Sequence, residues 1–274
     1  MNSNLKYLLQ LIDDEDEKVF QDIKVNIIEL GFEAKEALLE MSENMLTDIA
    51  QQRIEILIEE INYTEIKKEV QRFVKDKTYS PIDIWAFLVY FTEREYGFIP
   101  YQNELLDVLK KAWIEIDNEI KVIDNAKRIH RIMTKEYHFA ITDESLLSVP
   151  ESFYLHQIIL SSITHCFTFK TLLWMIAYQC GLPLSFVRIK EGEYLYLILD
   201  TNMENLNIET YALLCENKEI SFEKVNTEFI SDENDSRLHI IYALLEQQAK
   251  SFQEKGNIVM QKKLLSLCEL ILLS

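Results

Sequence analysis

Apolar residues in the first 75 positions recur at helical spacing and predict helices joined by short turns. "LKYLLQLIDD" reads as one helix. "EKVFQDIKVNIIELG" reads as a second, with Val19, Ile23, Ile27, Ile28 and Leu30 at helical intervals and Gly31 where a C-cap belongs. "EAKEALLEMSEN" and "DIAQQRIEILIEEINY" continue the amphipathic pattern. Ser80-Pro81 has the form of an N-cap followed by Pro at N1. The helix it opens carries Ile82, Trp85, Leu88, Val89 and Phe91 on one side, and a domain boundary is expected near residue 77. Further helices are expected in "QNELLDVLKKAWIEI" and "NEIKVIDNAKRIHRIMTKEYH", with an ordered loop in "FAITDESLLSVPES". A helix at about 151–160 and another from near Cys166, stopped by "GLP", come next.

From Leu184 the pattern turns to strands: "LSFVRIK", "EYLYLILD", "NIETYALLCE" and "KEISFEKV" are short and rich in β-branched and aromatic residues. "EYLYLILD" is apolar on both faces past its first residue, as a central covered strand is. The tail returns to helix as an antiparallel pair turning at Gly256-Asn257.

Composition narrows the classes. Five Gly and four Pro in 274 residues are too few for a loop-rich all-β protein. A net charge of −18, from 46 acidic and 28 basic side chains, argues against a nucleic-acid partner, which needs clustered Lys and Arg. Cys166, Cys180, Cys215 and Cys268 form no CxxC pair, which argues against a zinc site or a disulfide framework and fits a reducing compartment. No apolar run suits a signal peptide or a transmembrane helix, so a cytoplasmic location with no membrane partner is the expectation. "DDEDE" at 13–17 reads as a solvated turn without the Gly or spacing of a calcium loop, and no phosphate loop or HExxH occurs. No cofactor is expected.

The order of helices, a helix opening with Cys, and antiparallel strands resembles the papain-like transglutaminase core. "THCFTFKTLLWMIAYQCGLPLSFVRI" resembles that superfamily's G-x-C, apolar helix, G-[IL]-P and first strand. "SVPESFYLHQIILSS", "AFLVYFTEREYGFI" and "NIET" resemble segments of a bacterial branch, so the likeness covers roughly residues 81–270. That branch has a helical N-terminal part and a tetratricopeptide-like C-terminal pair. "LLQLIDDEDEKVFQDIKVNIIELGFEAKEALLE" in turn resembles a HEAT-type unit, although generic helical hairpins explain it as well. The fold expectation is therefore α+β and mostly helical. It divides into a HEAT-like region over 1–76, a transglutaminase-like core over 77–230 with the Cys helix packed on a small antiparallel sheet, and a tetratricopeptide-like pair over 231–274.

The resemblance puts Cys166 on the nucleophile position, with Thr164 where the family has Gly. The family's His falls on Glu193, or with a one-residue slip on Tyr194, and the acidic third member on Glu209. Without imidazole the thiol loses its base. A carboxylate at 193 would favour the neutral thiol, and Glu at roughly pKa 4.3 is a poor base for a thiol near 8.5. Ser162 or Thr164 is expected to cap the Cys166 helix. His165 adjoins Cys166; neighbours on a helix point about 100° apart, but in extended chain just before the helix the angle differs, so it stays a candidate partner of the thiol. His156, on the preceding helix, could approach the start of the Cys166 helix, although a solvated face is the expectation, and His130, His138 and His239 carry no ligand spacing. Cys166, Phe169, Leu173, Ile176 and Cys180 form one stripe, so burial accounts for Cys166 without chemistry. Three functions follow: a non-catalytic binding or scaffolding module with a degenerate triad, acting on a protein or peptide partner; an active cysteine hydrolase or acyltransferase on amide bonds using Cys166; or a helical-repeat interaction protein.

Overall fold

A computed structural model describes residues 3–43, 47–92, 102–142, 144–188, 194–202, 207–225 and 235–272. The described chain is α+β and mostly helical. It divides into two compact units, one of residues 1–72 with 90–96, the other of 73–89 with 97–274.

The first unit is helical. α1 (Ser3–Gln10), α2 (Glu17–Glu29), α3 (Phe32–Glu43) and the part of α4 (Asp48–Lys75) up to Arg72 enclose a core that includes Leu5, Ile12, Phe20, Ile27, Leu38, Ile54 and Leu57. Gly31 follows the α2 C-cap with φ +58°, the left-handed conformation that glycine takes without a Cβ penalty. α4 runs past the expected "INY" because Ile66, Val70 and Phe73 extend its buried stripe. The acidic turn at 13–17 is tied down by Arg53. The residue is 7% exposed, and its guanidinium donates to the carbonyls of Ile12 and Asp14, pairs with Glu17 at 3.1 Å and lies 4.5 Å from the Phe20 ring.

The second unit opens with α5 (Pro81–Thr92), where Ser80 Oγ accepts the Ile82 N–H at 3.3 Å as the expected cap. Ile82, Trp85 and Leu88 are buried, whereas the Val89 and Phe91 side chains lie outside the described residues. α6 (Gln102–Glu115), α7 (Val122–Arg131), α8 (Leu155–Ser161) and α9 (Cys166–Gln179) follow. Between α7 and α8 the expected loop contains β1 (Ala140–Ile141) and two 3-10 turns, Glu144–Ser148 and Pro150–Phe153. The second turn replaces the first part of the helix expected from 151. Trp85 Nε1 donates to the Phe153 carbonyl at 2.8 Å, anchoring that turn on α5. β1 pairs in parallel with β2 (Ile163–Thr164), immediately before α9.

β3 (Leu184–Arg188), β4 (Tyr194–Asn202), β5 (Asn207–Glu216) and β6 (Glu219–Val225) form an antiparallel meander in chain order. β4 is interior, with Tyr196, Leu197 and Ile198 buried. Asn217 and Lys218 both have positive φ, as a two-residue hairpin turn requires. Residues opposite one another across strands share a face. The pairs Phe186–Tyr196, Ile198–Tyr211, Leu213–Phe222 and Cys215–Ile220 therefore line one side of the sheet. α10 (Ser236–Glu254) packs along edge strand β3, and Ser236 Oγ accepts the Phe186 N–H at 3.0 Å, covering the open edge. α11 (Ile258–Leu272) turns back at Gly256-Asn257 to pack on α10. Among the described residues no helix is long and apolar enough to cross a membrane.

Candidate functional site

α9 brings Cys166 to the sheet. Its stripe of Phe169, Leu173 and Ile176 is fully buried, and Cys166 and Cys180 at its ends are half-buried. The helix is held on β4 by Tyr196, whose hydroxyl lies 2.7 Å from Thr171 Oγ1 and donates to the Phe167 carbonyl at 3.4 Å. Tyr196 is wholly buried, so its phenol is kept protonated far above the usual range. With α9 on the Tyr196 face, the alternation of β5 turns Cys215 towards the start of α9. Cys166 and Cys215 are joined there by a disulfide, with Cα atoms 6.3 Å apart and a sequence separation of 49. The cysteine spacing argued against such a link. Strand register made it, and register is set by the sheet rather than by cysteine spacing.

The N-cap of α9 is His165, not Ser162 or Thr164. Its Nδ1 accepts the Thr168 N–H at 3.3 Å. Ser162 is instead in the left-handed region, φ +53°, closing α8, and Thr164 is engaged in the β1–β2 bridge. An accepting Nδ1 places the imidazole proton on Nε2, and Nε2 is buried with no partner. Burial pushes the His165 pKa down to about 3, so at neutral pH it offers Cys166 no positive charge.

Two other imidazoles pack against aromatic rings. His156 is buried, not on a solvated face, and stacks on Tyr154 at 5.9 Å. His130 on α7 packs edge-on against Phe169 at 5.8 Å and Phe222 at 5.9 Å, with its pKa lowered by burial and by Lys135. Its contact with Phe222 sets it on the Cys215 face of the sheet. Sequence spacing gave no sign of this, because α7 and the sheet meet only in the folded chain. Among the described residues no histidine hydrogen-bonds to Cys166 Sγ, whose partner is Cys215 Sγ.

Glu209 does not reach Cys166. It accepts from Tyr211 Oη at 2.9 Å and from Lys224 Nζ at 2.8 Å, and lies 3.9 Å from Lys121 Nζ. Hydrogen bonds from Lys224 and Tyr211 hold its carboxyl below the usual range. It lies six positions before Cys215 along extended β5, a distance of roughly 20 Å. β4 runs antiparallel to β5, so its first residue, Tyr194, lies towards the Cys215 end of the sheet. The Tyr194 side chain and Glu193 fall outside the described residues. Among the described residues no group of three His, Cys, Asp or Glu side chains gathers as a metal site.

Comparison of the chain with family models, with curated proteins and with solved structures returns no match.

Proposed function

We propose that this chain is a transglutaminase-like protein whose triad has degenerated, and that it works as a non-catalytic binding or scaffolding module for a protein or peptide partner in the cytoplasm. The observation that carries the reading is the fate of the helix-start sulfur. Cys166 faces an antiparallel sheet, as the nucleophile of that fold would, yet its bonded partner is Cys215 and not an imidazole. Cysteine catalysis needs a thiolate maintained by a nearby base, and losing a triad's base costs several powers of ten in rate. The imidazole next in sequence is neutral and already used as a helix cap. The HEAT-like first unit and the tetratricopeptide-like pair α10–α11 would supply the partner surfaces.

The reading is tested by incubating the reduced full chain with a glutaminyl peptide and hydroxylamine, then measuring hydroxamate and any acyl adduct on Cys166. The expected signal equals that of the Cys166→Ala variant. Turnover that depends on Cys166 overturns the proposal and establishes the cysteine hydrolase or acyltransferase instead.

A further inference from the structure

We propose that Cys166 and Cys215 form a reversible redox site whose substrate is a low-molecular-weight disulfide of the glutathione class. The proposal rests on the reading above only in that Cys166 is free of an acyl-transfer role. Three features of the site support it.

The two Cα atoms are 6.3 Å apart, inside the span of about 4.4–6.8 Å that a disulfide bridges without moving backbone. Both cysteines are half-buried, so a small thiol reagent can reach them. Each also sits on a framework that does not depend on the link. Cys215 lies on β5, hydrogen-bonded to β4 and β6, and Cys166 on α9, anchored through Tyr196. In the reduced state the two thiols therefore remain opposed, which makes ring closure an intramolecular step.

Cys166 is the residue that attacks first, because it is the first residue of a 14-residue helix whose dipole favours its thiolate. That thiolate attacks one sulfur of the small disulfide, the other sulfur leaves as a thiolate with the bonding pair, and a mixed disulfide remains on Cys166. The Cys215 thiolate then attacks the Cys166 sulfur and expels the second small thiolate. The two protein thiols lose two electrons and two protons, and the small disulfide gains both, leaving as two thiols. Cys180 and Cys268 do not compete. They have no sulfur partner, and burial pushes their pKa values to about 11 and about 12. Oxidation pins the first turn of α9 to β5 at the end of the sheet where β4 begins, so the redox state sets how open that end is to a partner.

The test uses the full chain, reduced, freed of reductant and exposed to oxidised glutathione, with the products read by intact mass and by peptide mapping without reduction. The expected product has lost two hydrogens and yields a Cys166–Cys215 cross-linked peptide, both in the native chain and in the Cys180→Ser/Cys268→Ser variant. The Cys215→Ser variant is expected to stop at one glutathionyl group on Cys166. Amide hydrogen exchange in the first turn of α9 is expected to slow by about tenfold or more on oxidation of the native chain. The proposal is overturned if glutathione settles on Cys180 or Cys268, if Cys215→Ser leaves Cys166 unmodified, or if oxidation leaves that exchange unchanged. The hydroxamate assay reads a different reaction, so failure of one reading is distinguishable from failure of the other.

Discussion

Replacing Arg237 with Met removes a buried, heavily engaged cation of the second unit at little change in side-chain volume. Arg237 is 5% exposed. Its guanidinium grips Asp235 through Nε at 3.1 Å and Nη2 at 2.7 Å. Nη1 donates to the carbonyls of Asp76, Lys77 and Tyr79 at 3.3, 2.8 and 3.1 Å, and the Phe73 ring lies 5.3 Å from Cζ. Met would keep the stem's packing but take the cation from the Asp235 carboxylate, which keeps only backbone N–H donors, and the guanidinium donor from the Lys77 and Tyr79 carbonyls, which is the costly way to break such a pair. Removing one partner of a buried ion pair typically costs about 3–5 kcal/mol. The assay is urea unfolding followed by tryptophan fluorescence, because Trp85, Trp113 and Trp174 all belong to the second unit and report on it alone. The loss is also expected to depend on pH. Burial works to raise the Asp235 pKa, but the Arg237 hydrogen bonds and charge outweigh it and leave it below the ordinary value. A carboxyl with a depressed folded pKa adds stability above its unfolded pKa of about 3.9, and that stability is lost as pH falls through the folded value. The gap between native and Arg237→Met proteins should therefore be full at pH 7 and shrink below about pH 4. A loss under about 1 kcal/mol, as for an exposed pair, or a gap independent of pH would refute the reasoning.

Tyr196→Phe deletes the buried hydroxyl that joins β4 to α9 and should cost about 1–3 kcal/mol by the same fluorescence assay, less when combined with Thr171→Val. Arg53→Met should raise amide exchange across residues 8–14 by about tenfold or more, since the Ile12 and Asp14 carbonyls lose their donor. Gly181→Ala should destabilise the second unit by about 1–2 kcal/mol in urea, because Gly181 holds φ +78° with open space around it, so the penalty is conformational and not steric.

The parts of this fold legible in the sequence are those fixed by local period. The helices of residues 3–75, the Ser80-Pro81 cap, the four strands and the turn at Gly256 all follow from spacing and punctuation within a dozen residues. α4 exceeded its expected end because Ile66, Val70 and Phe73 sustain its stripe through otherwise polar sequence. What spacing could not give is which distant faces meet. His156 looked like a surface residue, but α8 turns it inward. His165 looked like a bystander, but an extended backbone before α9 lets its ring cap the helix. Glu209 and Cys215 lie on one face of one strand, and choosing between them as the neighbour of Cys166 requires the packing of α9 along the sheet.

The most direct test of Cys166 as a nucleophile position without its base is its alkylation rate. Reduced Cys180→Ser/Cys268→Ser/Cys215→Ser protein would be mixed with iodoacetamide at pH 7 and Cys166 modification followed by mass. The expected rate lies within about tenfold of a small free thiol, since only the helix N-terminus favours the thiolate. A rate a hundredfold or more above that, abolished by His130→Gln, would contradict the account and restore a working cysteine–histidine pair.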